Sequence, residues 1–213
     1  MTSADSTRPV RLAVVSAGLS EPSSTRLLAD RLAEATRVAL REEGVEAEAG
    51  VVELREVATQ IAHNFVTGFA DARLREAIEQ VTEADGLIAV TPVFSASYSG
   101  LFKSFFDVLD KDALAGKPVL LGATGGTPRH SLVLEHAMRP LFAYLRAVAA
   151  PTAVYAATDD WAARDDDFSR RIARAGGELA SLVAPHAAAG TSPTAEPDVV
   201  PFEQQLAALR VEE

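Results

Sequence analysis

The sequence predicts an α/β protein with an open parallel sheet and helices on both faces. Apolar runs of strand length alternate with amphipathic segments along most of the chain. These segments form five β–α units in succession, and such units place their strands side by side in a parallel sheet. With 213 residues, of which 48% are hydrophobic, the chain can bury a substantial core as one domain.

Five strands are predicted from these apolar runs, and most of them lack the polar alternation of a half-exposed strand. They are "VRLAVVSA" (10–17), "EAEAGVVEL" (46–54), "DGLIAVTPVF" (85–94), "GKPVLLGAT" (116–124) and "PTAVYAA" (151–157). Uninterrupted apolar strands are typical of a sheet that is covered on both faces. Pro92 is expected to end the third strand, because proline has no N–H to donate to a neighbouring strand.

Helices are predicted between and after the strands, from the loop at 16–26 to Gly44 and over 72–84, 99–110, 131–149 and 167–189. Pro140 lies inside the fourth of these helices and is expected to kink or break it. Residues 1–8 are expected to form a disordered leader, 9–190 the domain, and 191–213 a C-terminal extension with a short helix.

The composition argues against several classes of function. A formal net charge of −10 is unsuited to nucleic acid and to an anionic membrane surface, which both favour basic proteins. No apolar run approaches the roughly 20 residues of a membrane span, and the N-terminus lacks the apolar core of a signal peptide. The chain has no cysteine, which excludes disulfides, thiol catalysis and thiolate metal sites. These features predict a cytoplasmic protein.

No metal site is predicted either. The acidic segment "DDWAARDDD" (159–167) offers carboxylates, which bind hard cations, but its spacing matches no calcium-binding loop. It is expected to be a helix cap beside solvated charges.

The loop after the first strand, "SAGLSEPSSTR" (16–26), is crowded with small hydroxyl residues and leads directly into a helix. A helix N-terminus attracts anions through its free N–H groups and its dipole, so this loop can hold a phosphate. Arg26 lies in the first turn, where a cation is unfavourable unless an anion is bound beside it. The alternative is that Ser23 or Ser24 caps the helix and Arg26 lies in solvent.

Two further loops follow the third and fourth strands, at the sheet edge where ligands of such folds bind. In "TPVFSASYSG" (91–100), small side chains let a flat ring approach the backbone, and the alternative is a turn whose aromatic residues face the core. In "ATGGTPRHSLVL" (123–134), two adjacent glycines allow close contact with a ligand. The alternative for this loop is an ordinary helix start.

Three segments, in this order, resemble the NAD(P)H-dependent FMN reductases of the flavodoxin-like fold: "SAGLSEPSSTR", "ADGLIAVTPVFSASYSGLFKSFFD" and "ATGGTPRHSLVLEHAMRPLF". The resemblance spans roughly residues 9–160. It is closest to the branch that supplies reduced flavin to two-component monooxygenases of the luciferase-like type. The resemblance implies a three-layer flavodoxin-like sandwich with a five-stranded parallel sheet in the order 2-1-3-4-5.

The resemblance also implies roles for individual residues. The FMN phosphate would be bound by Ser16, Ser23, Ser24, Thr25 and Arg26. The isoalloxazine ring would be bordered by Pro92, Val93, Phe94 and Ser95, with Ser97 and Tyr98 nearby. Its other edge would be lined by Thr124, Gly125 and Gly126, while Arg129 and His130 would face the ring or the incoming nicotinamide. Many relatives carry Tyr-Asn where this chain has Phe94 and Ser95, so one hydroxyl and one amide are missing here.

The implied reaction is hydride transfer from NAD(P)H to FMN, which needs no protein nucleophile and no metal. No catalytic side chain is therefore predicted, and backbone N–H groups at 92–95 and 124–126 are expected to stabilise the reduced flavin. Two alternatives stay open. One is an FMN-containing reductase of quinones, azo dyes or metal ions, and the other is a flavodoxin-like electron carrier.

The predicted partners are flavin and nicotinamide nucleotides, a second copy of the chain and a flavin-dependent monooxygenase. A homodimer or homotetramer is expected because "IAHNFVTGFAD" (61–71) is apolar for a surface loop, and because "LFKSFFDVL" (101–109) is apolar on nearly every side. Apolar surface that one sheet cannot cover usually marks an interface.

Overall fold

The protein consists of a parallel sheet with helices on both faces. Its structure, a computed structural model, describes residues 8–162 and 166–188. The strands are β1 (Val10–Ser16), β2 (Ala47–Glu53), β3 (Gly86–Phe94), β4 (Ser97–Tyr98), β5 (Pro118–Gly125), β6 (Val148–Ala149) and β7 (Val154–Ala157). The α-helices are α1 (Ser24–Glu42), α2 (Ala58–Thr67), α3 (Ala72–Thr82), α4 (Gly100–Asp107), α5 (Arg139–Tyr144) and α6 (Asp167–Ala188).

The parallel strands follow the order β2-β1-β3-β5-β6, and β7 also pairs with β5. The short strands β6 and β7 pair with successive parts of β5, so together they occupy one strand position that is interrupted at residues 150–153. The remaining strand, β4, is the antiparallel return of a hairpin with β3. The fold prediction is therefore confirmed, with five parallel positions in the order 2-1-3-4-5. The structure has seven strands because the fifth position is split and β3 carries a hairpin.

Side chains from both edge helices fill the interruption between β6 and β7. Arg139 of α5 donates to the carbonyl oxygens of Ala150 and Pro151, at 3.1 Å each. On the other side, the Glu178 carboxylate of α6 accepts from the backbone N–H of Thr152 at 2.6 Å and from its hydroxyl at 2.7 Å. Three backbone groups of this interruption, the carbonyls of Ala150 and Pro151 and the N–H of Thr152, are thus satisfied by side chains.

The sheet separates two apolar cores. Alternate residues of β1 face opposite sides, so that Ala13 and Val15 pack beneath α2, α3, α4 and α5, while Leu12 and Val14 pack beneath α1 and α6. The phenylalanines of α4 lie in the first core and are fully or almost fully buried: Phe102, Phe105 and Phe106. The apolar character of this helix is therefore largely explained by packing within one chain, and it does not provide the exposed surface that was expected.

The prediction that Pro92 ends the third strand is wrong. β3 continues to Phe94, and Pro92 stands opposite Thr124 in the ladder with β5. The carbonyl of Val90 points towards β1, where it accepts from Ala17. Alternate residues of a strand point to the same neighbour, so the nitrogen of Pro92 also faces that side, where β1 has already ended at Ser16. No donor is needed there.

The long helix predicted over 131–149 is broken, as Pro140 indicated. A π-helical turn at Leu134–Met138 precedes α5, which carries Pro140 in its first turn. The helix also ends earlier than predicted, because Arg146 adopts a left-handed conformation with φ of 59° and the chain then enters β6.

The ends of the chain are only partly described. Residues 1–7 of the predicted leader and the predicted extension at 191–213 lie outside the described residues. Arg8, the last residue of that leader, forms an ion pair with Asp85 at 2.6 Å. Across the described residues, no helix combines the length and the apolarity that a membrane span requires.

Candidate functional site

A cavity of about 500 Å³ opens at the carboxyl ends of the parallel strands. It is lined by Gly18, Leu19, Ser20, Ser23, Ser24, Thr25, Pro92, Val93, Phe94, Thr124, Gly125, Gly126, Thr158 and Trp161. The structure therefore brings the three predicted loops together, and adds the turn after β7. None of these lining residues is charged, although the chain carries a formal net charge of −10. An anionic ligand would meet no carboxylate in the cavity wall.

The N-terminus of α1 forms one end of this cavity. Ser23 caps the helix, because its hydroxyl accepts from the N–H of Arg26 at 3.2 Å and its carbonyl accepts from the N–H of Leu27 at 3.0 Å. The N–H groups of Ser24 and Thr25 have no acceptor among the described residues. Free N–H groups at a helix N-terminus, together with the helix dipole, form an anion site. The loop thus provides both a serine cap, from Ser23, and two free N–H donors, from Ser24 and Thr25.

Gly18 allows the loop before α1 to close tightly. A Cβ atom at this position would lie 2.0 Å from the hydroxyl oxygen of Ser23, the residue that caps the helix. A larger residue at position 18 would therefore displace the cap.

A buried pair of hydroxyl groups joins the two sides of the cavity. The Oγ1 atoms of Thr25 and Thr124 lie 2.8 Å apart, and both residues are almost completely buried. This hydrogen bond connects the first turn of α1 to the end of β5. It holds the free N–H groups of α1 in a fixed position relative to the glycines that follow Thr124.

The end of β3 is shaped by a tight hairpin turn. Ser95 and Ala96 have φ angles of 48° and 68°, which is the pattern of the two-residue turn that matches strand twist. The returning strand is anchored where the N–H of Ser99 donates to the hydroxyl of Thr91 at 3.0 Å. Phe94, immediately before the turn, lines the cavity and remains 47% exposed.

The end of β5 is fitted to a tyrosine on the neighbouring strand. A Cβ atom at Gly125 would lie 2.1 Å from the Tyr155 hydroxyl oxygen, whereas one at Gly126 would meet no other atom. The Tyr155 hydroxyl donates to the carbonyl of Thr127 at 2.8 Å. Burial, with a smaller contribution from the charge of Asp160, raises the pKa of Tyr155, so this hydroxyl keeps its proton. Only Gly126 therefore leaves open space beside the cavity.

Seven of the predicted site residues do not line the cavity: Ser16, Arg26, Ser95, Ser97, Tyr98, Arg129 and His130. Ser16 is buried at the end of β1. Tyr98 lies in β4 with its ring centroid 5.9 Å from that of Phe102. Arg129 and His130 lie in a short 3-10 turn that begins two residues after Gly126, so they are close to the cavity along the chain.

Arg26 is paired with carboxylates of its own chain. Its Nε atom lies 2.8 Å from Asp30, and a second nitrogen contacts Glu53. The hydrogen bond to Asp30 is the main cause that raises the pKa of Arg26. The anions that make a cation tolerable in this first turn are therefore side chains, and the guanidinium lies beside the cavity lining rather than in it.

Sequence reasoning missed five lining residues: Gly18, Leu19, Ser20, Thr158 and Trp161. The first three lie inside the loop that was singled out. The other two lie in the turn after β7, and the rule that ligands bind at the carboxyl ends of strands applies equally to that turn. The single tryptophan of the chain lies within the acidic segment 159–167, whose charges are typical of a solvated cap rather than of a cavity wall.

The acidic segment behaves as a cap in its described part. Asp160 accepts from the N–H of Ala157 at 2.7 Å and pairs with Arg171 at 3.0 Å. Residues 163–165 lie outside the described residues. Elsewhere in the described chain, no group of three or more His, Asp or Glu residues is arranged to hold a metal ion.

Known proteins that resemble the chain include enzymes and a solved structure. An FMN reductase (NADPH) from Pseudomonas aeruginosa is 37% identical over 155 residues, which are 73% of this chain and 81% of that protein. The NADH-dependent FMN reductase SfnF from Pseudomonas fluorescens is also 37% identical, over 73% of this chain and 80% of its own. An oxidoreductase structure from Corynebacterium diphtheriae is 48% identical, with a TM-score of 0.81, and covers 83% of this chain and 98% of its own.

A family model agrees with these similarities. The model that describes NADPH-dependent FMN reductases matches residues 10–162, which include all four segments that line the cavity. The chain therefore belongs to the NADPH-dependent FMN reductase family and is an oxidoreductase that uses FMN and a nicotinamide nucleotide.

Proposed function

We propose that FMN binds in the cavity with its phosphate at the N-terminus of α1. The observation that carries this proposal is the pair of free N–H groups at Ser24 and Thr25, in a cavity whose lining has no charged residue. The hydroxyls of Ser23 and Ser24 line the same cavity and supply further donors, whereas the Ser20 hydroxyl donates to the carbonyl of Pro22 at 3.1 Å. A dianionic phosphate fits this donor set, because every group that it meets there donates or is neutral.

In the same proposal, the ring of FMN lies between the ends of β3 and β5. Pro92, Val93 and Phe94 form one wall, and Thr124 and the two glycines form the other. Bound FMN supplies an acceptor for the hydride of NAD(P)H. The protein's own role is to hold the flavin ring and to leave one face of it accessible at Gly126. Its backbone N–H groups are directed to the edge of the ring that becomes negative on reduction.

Arg26, Arg129 and His130 belong to this proposal as residues beside the cavity. The guanidinium of Arg26 reaches the phosphate if the phosphate replaces one of its two carboxylate partners, Asp30 or Glu53. Arg129 is exposed and His130 is half-buried, and both lie on the loop that follows the two glycines. In this proposal they meet the phosphates of the incoming nicotinamide nucleotide.

We further propose that FMN is a substrate that is released after reduction, and that the reduced flavin supplies a flavin-dependent monooxygenase. The openness of the site at Gly126 and the exposed side chain of Phe94 favour exchange of the flavin. The reaction is proposed to take place in the cytoplasm, and a cysteine-free sequence suits that compartment.

Steady-state oxidation of NADH and NADPH, without and with added FMN, tests the function. We expect little oxidation by the flavin-free protein and a rate that saturates as FMN is added. A quinone or azo dye should not raise the rate when FMN is present only in amounts equal to the enzyme. A full rate with such an acceptor and no added FMN would identify a reductase with a resident flavin. Absence of NAD(P)H oxidation together with tight FMN binding would identify an electron carrier.

A further inference from the structure

We propose that Trp161 makes the site selective for FMN over FAD by closing the cavity at its phosphate end. This inference rests on the proposed function, because it takes the phosphate to lie at the N-terminus of α1. It adds a specificity residue outside the three loops that the sequence singled out.

Trp161 lies on the same side of the sheet as the start of α1. It ends the short turn Thr158–Trp161 after β7 and packs against the core beneath α1 and α6. The Arg31 guanidinium carbon lies 5.1 Å from the centre of the indole ring. Arg31 follows Ser24 by seven positions, about 10 Å along a helix. The indole therefore stands beside the second turn of α1, and it lines the same cavity as Ser24 and Thr25, whose N–H groups are proposed to hold the phosphate.

The indole is fixed in this position by several contacts. Phe168 meets it edge to face, with ring centroids 5.3 Å apart and an interplanar angle of 82°. The turn that carries it is held by Asp160, which accepts from the N–H of Ala157 and pairs with Arg171. With Arg31 over the ring and Phe168 at its side, the indole has little freedom to move away from a ligand.

The chemistry of the two flavins decides what such a wall does. FAD is FMN with an adenosine monophosphate joined through the flavin's own phosphate, so the two ligands differ only beyond the phosphate end. A terminal phosphate can stop at the free N–H groups of Ser24 and Thr25. The extra nucleotide of FAD has to continue past them, where Trp161 already lines the cavity. A fixed side chain that clashes with the larger ligand gives selectivity without any new contact to the smaller one.

Substitution of Trp161 tests this inference through ligand affinities. Dissociation constants of FMN, FAD and riboflavin are measured by calorimetry for the natural protein, Trp161→Ala and Trp161→Leu, the leucine variant keeping apolar contact with Phe168. We expect the natural protein to prefer FMN, and the ratio of the FAD to the FMN dissociation constant to fall by about tenfold or more in both variants, within the range typical of pocket size changes. Phe94→Ala is the matched control, because it also removes an aromatic wall but at the end of β3. It should leave that ratio unchanged.

The single tryptophan of the chain provides a second readout. Binding of FMN should quench most of the Trp161 fluorescence in the natural protein, because the flavin ring then lies in the cavity that Trp161 lines. Equal affinity of the natural protein for FAD and FMN would overturn the inference, as would an unchanged ratio in the two Trp161 variants. Weaker binding of FAD relative to FMN in those variants would also overturn it, because that result would mean that Trp161 stacks on the adenine. Failure of the natural protein to bind FMN at all would instead contradict the proposed function.

Discussion

Gly125 shows at the scale of a single residue how the cavity wall depends on its neighbour. Its missing side chain makes room for the Tyr155 hydroxyl, which would lie 2.1 Å from a Cβ atom, and the next tyrosine atom would be at 3.2 Å. The hydroxyl in turn holds the carbonyl of Thr127. The position of the loop after β5 therefore depends on one glycine and one oxygen atom together.

We predict that Gly125→Ala destabilises the protein by about 1–3 kcal/mol, the usual cost of overpacking a well-packed site. In a Tyr155→Phe background the same change should cost less than half as much, because the clashing oxygen is gone. Urea unfolding of the four proteins in this cycle measures the coupling. Gly126→Ala is the control, since a Cβ atom there meets nothing. Equal costs of Gly125→Ala in both backgrounds would contradict the proposed fit.

Arg26→Ala should weaken FMN binding by about 1.5–3 kcal/mol, the value of a hydrogen bond to a charged group. Removal of the guanidinium also leaves the carboxylates of Asp30 and Glu53 without their shared cation near the proposed phosphate. Their negative charges then weaken FMN binding further. Riboflavin lacks the phosphate, so its affinity should stay the same. Arg37→Ala, on the same helix and paired with Glu34, is the control variant. If FMN and riboflavin respond equally to Arg26→Ala, Arg26 does not act through the phosphate.

At the scale of an element, Asp85 anchors β1 to β3 at the end of the sheet opposite the cavity. Both of its oxygens accept from Arg8, at 2.6 and 2.8 Å, and one also accepts from the N–H of Arg11 at 2.8 Å. Burial alone would raise the pKa of this carboxyl, but the hydrogen bonds and charges of the two arginines outweigh it and lower the pKa. The carboxylate therefore stabilises the folded chain.

This lowered pKa fixes the direction of a pH effect. A carboxyl with a lower pKa in the folded state contributes stability above its unfolded pKa, about 3.9, and loses it as the pH falls through the folded value. We predict that Asp85→Asn is less stable than the natural protein at pH 7, and that the difference narrows below about pH 4. Urea unfolding across that range measures it. Glu79→Gln, an exposed carboxylate on α3, should show almost no difference at any pH.

At the scale of the whole molecule, one exposed apolar patch is without a cover in the described chain. It consists of Phe65, Val66 and Phe69, at the end of α2 and just after it, which are 55%, 86% and 78% exposed. Three neighbouring side chains of this size in solvent are unusual for a monomer. They lie within the segment 61–71 that predicted a homo-oligomer, and they support that proposal.

The double variant Val66→Asp with Phe69→Asp should shift the protein towards monomer, because two charges in an apolar interface are costly to desolvate. Light scattering at micromolar concentration measures the mass. Val38→Asp on α1, at a side chain that is 40% exposed but distant in the fold, should leave the mass unchanged. A natural protein that is already monomeric would refute the predicted assembly.

Much of the architecture follows from the sequence, because strand order and site location depend on coarse patterns. Apolar runs place β1, β3 and β5, and the rule of the carboxyl edge then brings 16–26, 91–100 and 123–134 to one cavity. The extent of β3 does not follow. Whether Pro92 ends a strand depends on where the neighbouring strand stops, which is a long-range fact that no local pattern records.

Individual contacts in the site were beyond the sequence for a related reason. The partners of Arg26 come from the next turn of α1 and from the end of β2, and only the folded chain shows that Glu53 reaches it. Trp161 follows the last strand of the sheet, and only the folded chain shows that the turn Thr158–Trp161 reaches the cavity beside the start of α1. Both cases depend on pairings between segments far apart in sequence.

The interruption between β6 and β7 has a consequence for how the protein meets other chains. It occupies the last position of the sheet, where a regular strand would offer an open row of donors and acceptors to any passing strand. Here two of the carbonyls are occupied by Arg139 and one amide by Glu178, and Pro151 has no N–H at all. A foreign strand would find neither a continuous ladder nor a matching register along this border. Arg139 of α5 and Glu178 of α6 thus make this edge of the sheet a poor template for the addition of another strand.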